Sequence, residues 1–260
     1  MLRHQLAVEL KKSITSTNLL IWSTIIFLIP AISFLQYTSG YMFFEEIELF
    51  QSIISGIIPL LFPVIVIFIF LQTFIQELKN NYITYVRPRI PKKIYLLSKG
   101  ITNALLTGLV VFMMIFVPFI FAVYIEPKLG IIKYTPSSFL EDGSSGSTTF
   151  SQFLPLGELS YGVLYSLWVT INGVVYASIS FSLLLLIKSR FIALSAPFLF
   201  YHIFNFIAGV LGHARFSPIS TVFPFNIEQQ PLWTVIIPFL VLILILMILL
   251  FCLRRSNEVT

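Results

Sequence analysis

Residues able to do covalent chemistry are few in this chain, and they are scattered. Asp142 is the sole aspartate, so a catalytic pair of aspartates is excluded. His4, His202 and His213 are too dispersed for a zinc site, and no His-Glu-x-x-His run is present. No Gly-x-x-x-x-Gly-Lys-[Ser/Thr] run occurs, so there is no lysine-bearing backbone nest to hold ATP phosphates. The single cysteine, Cys252, excludes an intrachain disulfide or a multi-thiolate metal centre. The expectation is a protein that is not an enzyme and binds no cofactor of its own.

The chemistry that remains is that of contact and recognition. The segment Gln76 to Gly100 reads QELKNNYITYVRPRIPKKIYLLSKG and gathers carboxylate, aromatic and basic groups. Gln76 to Val86 is able to continue as a helix until Pro88 and Pro91 break it, because the residue before a proline is pushed out of the helical region. Lys92 to Lys99 then restarts a helix. Glu77, Tyr82, Tyr85, Arg87 and Arg89 thus fall on a short exposed helix suited to docking, with the tyrosines as anchors and the charges around them. Plain anchoring at a membrane surface accounts for the basic residues, but not for two prolines flanked by aromatics. Farther along, Ser195, Phe198, His202, Asn205, Gly209 and Gly212 fall at heptad spacing, as do Ser166, Thr170, Gly173, Ala177 and Ser180. Small-residue seams of this kind let helix backbones approach closely. His202 and Asn205 are costly to desolvate against lipid, so they are expected to face protein or a cavity.

The elements that carry these residues are set by composition. Hydrophobic residues make up 57% and charged ones 10% of the 260 residues, against about 25% charged in a typical soluble domain. Six apolar runs, 19–35, 53–74, 101–124, 161–187, 191–211 and 232–253, are each long enough to cross a bilayer and contain no charged residue. Pro30, Pro59, Pro63, Pro118, Pro197 and Pro238 lie inside them and are expected to mark kinks rather than ends. No cleavable signal peptide is evident, and the first run reads as a retained span. The fold class expected is all-α, an integral membrane bundle of six transmembrane helices forming one domain over 1–260.

Charge sets the orientation. With the N-terminus inside, thirteen of the sixteen Lys and Arg fall on the cytoplasmic side and three outside, Lys128, Lys133 and Arg215. The same assignment places Glu9, Glu77 and Glu258 inside and the other eight acidic residues outside. Both termini are therefore expected in the cytoplasm, and the net charge of +5 addresses the membrane surface rather than nucleic acid. In segment 1–17, Leu2, Leu6, Leu10 and Ile14 form one stripe, which predicts an interfacial helix with its leucines in lipid. The outer segment 36–51 reads as an acidic, aromatic loop. Residues 125–160 read as a long outer loop with a mobile tip at 143–149, and 213–231 as either a re-entrant hairpin or a plain loop.

Glu77 below the second span, the proline-basic break, and Lys92-Lys93-Ile94-Tyr95-Leu96-Leu97-Ser98-Lys99 entering the third span resemble the type-2 ABC exporter permeases. The N-terminal interfacial helix, the six spans and the long outer loops before the fourth and sixth extend that resemblance over the whole chain. It implies a bacterial plasma-membrane half-transporter that pairs with a second permease, identical or paralogous. Separate ATP-binding cassette subunits would hydrolyse ATP and dock on the 76–100 loop. It also implies a pathway lined by the second and fifth spans, hence His202 and Asn205. Family members of this size often export antimicrobial peptides or other amphipathic toxins, or protect against them. Two other classes compete. A membrane-embedded binding subunit of an importer would not need the two-proline loop. An intramembrane enzyme is the other: Phe198-x-x-x-His202 is similar to one element of the CAAX-type peptidases, but Glu45-Glu46 lacks the following arginine.

Overall fold

The computed structural model describes residues 1–38, 41–80, 90–135 and 148–259. Among these residues, six helices are long and apolar enough to cross a membrane, as in a multi-pass membrane protein. They are α2 (Ser16–Thr38), α4 (Ile57–Lys79), α5 (Lys92–Leu129), α6 (Glu158–Leu186), α7 (Arg190–Val210) and α9 (Trp233–Val259). A short α1 (Leu2–Ser13) precedes them. Two further pieces, α3 (Glu46–Ser55) and α8 (Pro218–Val222), lie at the end of the bundle away from the chain termini.

The spans form because nothing interrupts their apolar runs except proline, and the helices absorb each proline. Pro63, Pro118, Pro197 and Pro238 sit within continuing helices. Two others follow widened π turns: Thr24–Leu28 precedes Pro30, and Phe121–Ile125 precedes Pro127. A proline clashes with the carbonyl four residues back and offers it no N–H, and a wider turn relieves that clash. α2 starts at a cap, where Thr15 Oγ1 accepts from the Asn18 N–H at 3.2 Å.

Packing is uneven. α5 and α6 form the most extensive helix pair. Gly162 lies directly on the Phe119 ring, and a Cβ there would stand 2.3 Å from Cε1. The fourth-span seam is a packing seam: Ser166, Gly173, Ala177 and Ser180 are buried, with Gly173 against Val111 and Val66. Of the most apolar stretches of α4 and α6, 61% is buried, against 17% in α7 and 11% in α9. The last two therefore expose most of their surface to whatever surrounds the chain.

Several expectations change. Segment 36–51 is not simply a loop, because α3 fills its second half and meets α4 at Gly56, where a Cβ would stand 2.9 Å from Ser33 Oγ. Residues 213–231 form a hairpin that turns back into the bundle. Tyr165 Oη donates to the Val222 carbonyl (2.9 Å) and Trp168 Nε1 to that of Thr221 (2.8 Å). Thr148 and Thr149, placed on a mobile tip by sequence, are buried and accept from Gln51 Nε2 (2.9 Å) and the Gln230 N–H (3.1 Å); 143–147 lies outside the described residues. At the same end, Glu126 is buried and accepts from Tyr134 Oη (2.6 Å) and the Ile132 N–H (2.7 Å). Burial and that carboxylate push the Tyr134 phenol well above its usual range, so it stays a donor at physiological pH.

Candidate functional site

Helices outrun their apolar runs at the end that carries the termini, and this is where charge collects. α4 continues past Phe74 to Lys79, and α5 begins at Lys92 rather than Ile101. Glu77 on α4, and Tyr95 and Lys99 on α5, therefore lie on helical turns that face one another. Lys99 Nζ donates to Glu77 Oε1 at 2.8 Å and stands 2.7 Å from Oε2. Tyr95 Oη donates to Oε2 at 2.7 Å, and Lys12 Nζ of α1 reaches Oε1 at 2.5 Å. Lys99 also pairs with Glu9 of α1, which in turn accepts from Gln5 Nε2 at 2.9 Å. Two carboxylates thus meet two ammonium groups, and the cluster is neutral. The Lys99 ammonium also lies 5.5 Å from the Tyr95 ring centre and 5.9 Å from that of Phe70. Charges buried this deeply persist only when paired and hydrogen-bonded.

The cluster explains how α1 docks. Gln5, Glu9 and Ser13 recur every four residues and are the buried face of that helix. The leucine stripe is therefore not what holds α1 to the protein: Leu2, Leu6 and Leu10 are half-buried and Ile14 is exposed. In a lipid solvent the polar face has more to gain from protein than the apolar one has. Asn18 completes the tie, with Nδ2 donating to the Ser13 carbonyl (2.8 Å) and to Thr73 Oγ1 (3.2 Å).

Glu77 accordingly does not stand on an exposed docking face; it is 6% exposed and turned into the bundle. Its position near the membrane boundary is the reason, since paired burial among α1 and α5 competes with solvation in the loop. Tyr82, Tyr85, Arg87 and Arg89 lie outside the described residues. The helices on either side of them, α4 and α5, are the two that the cluster joins.

His202 and Asn205 are on α7, at its contact with α4 and α8. Pro63 has no N–H to give the Pro59 carbonyl, and Tyr201 Oη donates to it instead at 2.9 Å. His202 Nε2 lies 3.0 Å from the next carbonyl, Leu60. Asn205 Oδ1 accepts from the Ile219 N–H at 2.8 Å, holding α8. Both residues thus have partners in the protein. Among the described residues, a Cβ on Gly209 or Gly212 would meet nothing within 4 Å, so that end of the fifth-span seam is not close-packed within the chain.

Sequence reasoning missed Gln5, Glu9, Lys12, Tyr95, Lys99 and Tyr201 as site residues. It also passed over a polar column on α5. Thr102, Asn103 and Thr107 continue from Ser98 and Lys99 into the bundle, and Thr102 Oγ1, Asn103 Oδ1 and Thr107 Oγ1 have no hydrogen-bond partner among the described residues. The three-to-four spacing from Tyr95 to Thr107 was the available signal.

No protein-family model, curated protein or solved structure matches this chain.

Proposed function

We propose that this chain is the transmembrane permease subunit of an ATP-driven exporter of the type-2 ABC class, in a bacterial plasma membrane with both termini in the cytoplasm. Its cargo is an amphipathic molecule such as an antimicrobial peptide or toxin. It pairs with a second permease, the same or paralogous, and ATP is hydrolysed by separate cassette subunits docked on the loop between α4 and α5. The observation that carries this reading is the charge cluster at the root of that loop. A push on the loop reaches α4 and α5, which Glu77 and Lys99 bind to each other, and α1, which Glu9 and Lys12 bind to both. Such a junction moves as one body, as rigid-body conversion between inward and outward states requires. α4 and α7, which contain Pro63 and Pro197, then line the pathway, with His202 and Asn205 on its wall.

Co-expression with a cassette ATPase from the same genome tests the reading. The ATPase should co-purify with the wild-type chain, and Tyr82→Ala with Tyr85→Ala should weaken that association about thirtyfold, the usual loss for truncated interface anchors of ~2 kcal/mol. Membrane insertion should be unaffected. No association with any such ATPase, or association that ignores the tyrosine pair, would overturn it. Energised uptake instead of release would identify an importer's binding subunit. Orientation is checked separately: in a Cys252→Ser background, Ile90→Cys should resist an impermeant thiol reagent in intact cells.

A further inference from the structure

A cavity of about 660 Å³ opens on the surface of the bundle between α5, α6 and α9, toward the end that carries the termini. Small residues make room for it: Gly100 and Ala104 line it from α5, and a Cβ on Gly100 would only just touch Phe181, at 3.5 Å. Its walls are aliphatic and aromatic, including Leu97 and Leu250, which are half exposed. Ser182 also lines it, but its hydroxyl donates to the Ser178 carbonyl at 2.9 Å and so is already satisfied.

Polar chemistry is confined to one end. Lys93 and Arg254, both exposed, stand at the mouth, on the first turn of α5 and near the end of α9. From Lys93 to Ala104 the cavity follows eleven residues of helix, roughly 16 Å at 1.5 Å per residue. That is about half of a ~30 Å hydrocarbon core, the depth of one leaflet. Two cations at headgroup level above an apolar trough one leaflet deep match one kind of molecule. A guanidinium takes a phosphate through two parallel N–H donors, and an ammonium adds a point charge beside it. Basic pockets between spans are how membrane proteins select anionic headgroups.

We propose that this groove is a binding site for an anionic glycerophospholipid, with an acyl chain along Leu97, Gly100 and Leu250 and its phosphate between Lys93 and Arg254. The charge complementarity excludes a zwitterionic lipid as the preferred occupant, because a choline or ethanolamine cation would be brought to the same two positive side chains. The site is independent of the transport reading.

Native mass spectrometry of the purified, detergent-solubilised full chain tests it with dioleoylphosphatidylglycerol and dioleoylphosphatidylcholine as probes. The phosphatidylglycerol should bind more tightly. Lys93→Gln with Arg254→Gln should weaken it about thirtyfold, about fivefold for each basic residue at a membrane surface, and should erase the headgroup preference. Lys92→Gln, one residue from the groove lining, should leave binding unchanged. Ala104→Phe, which fills the trough without touching charge, should weaken both lipids together. Glycerol 3-phosphate, the headgroup chemistry without chains, should not displace the lipid; displacement would mean a soluble-anion site and overturn the proposal. Equal affinity for the two lipids in the wild-type chain overturns it directly, whatever the variants do, as does a preference that survives the double variant.

Discussion

Two different bonds hold the helices of this bundle against α4. At the terminal end α1 and α5 are held by charge, through Lys12, Lys99 and Glu9 around Glu77. Farther into the bundle α7 is held by side chains reaching backbone carbonyls: Tyr201 Oη donates to Pro59, and His202 Nε2 lies 3.0 Å from Leu60. The contrast follows depth in the bilayer. Near the headgroups a charged pair keeps part of its hydration, and Lys12 is 37% exposed there. Deeper in, an unpaired charge is too costly, and the polarity used is that of the backbone, including the Pro59 carbonyl that Pro63 leaves without a donor. The first arrangement fixes three helices as one body. The second lets α7 rest lightly on α4, in keeping with how little of α7 is buried.

Removing Lys99 should break the charged region most severely. Lys99→Met leaves Glu9 and Glu77 buried without their shared ammonium, a change expected to cost about 3–5 kcal/mol. Thermal unfolding in detergent, with accumulation in the membrane, measures it. Combining Lys99→Met with Glu9→Gln removes one charge of each sign and leaves the Lys12–Glu77 pair, so stability should recover in part. A single variant as stable as wild type would mean that the charges do not bear on the fold.

The region held through backbone carbonyls should be softer, and its logic admits a sharper test. Tyr201→Phe deprives the Pro59 carbonyl of its donor and should cost about 1–3 kcal/mol. Pro63→Ala returns an N–H to that carbonyl from within α4. In the Pro63→Ala background, Tyr201→Phe should therefore cost much less, and the coupling should appear as a non-additive double-mutant cycle. Additive losses would show that Tyr201 acts by packing alone.

The same division explains what the sequence disclosed. Six spans were readable because lipid imposes a long, uncharged run that no soluble helix needs, and Pro63, Pro118, Pro197 and Pro238 lie within continuing helices rather than at their ends. The helix beyond Phe74 was readable from Gln76 to Val86, and its restart at Lys92 from Pro88 and Pro91; the helices run on to Lys79 and begin again at Lys92. The direction Glu77 faces was not readable: it was placed on an exposed helix face, yet it turns inward to Lys12, Tyr95 and Lys99. On α1 the leucine stripe was legible, but the role of the opposite face was not: Gln5, Glu9 and Ser13 mark the protein side. Tyr201 carried a signal that goes unseen without asking which donor serves the carbonyl that Pro63 abandons. His202 and Asn205 were legible as residues needing partners, but the identity of those partners depends on the turn of α8 back into the bundle.

The smallest effect should come from the second lysine on Glu77, and it separates burial from mere pairing. Lys12 and Lys99 touch the same carboxylate at similar distances, 2.5 and 2.7 Å, so contact geometry alone ranks them together. They differ in surroundings. The Lys99 side chain is 1% exposed, and that of Lys12 is 37% exposed. A partly solvated pair gains little net of hydration and side-chain entropy, so Lys12→Met should cost under about 1 kcal/mol and lose even that at high salt. Glu77 would keep Lys99 and the Tyr95 hydroxyl as partners. Unfolding of the Lys12→Met and Lys99→Met variants at low and high ionic strength decides the matter. The wild-type advantage over Lys12→Met should shrink as salt is added, while its advantage over Lys99→Met should not move. If the two variants fall equally and respond alike to salt, the cluster is a surface patch, and the junction at the root of the loop is far looser than its geometry implies.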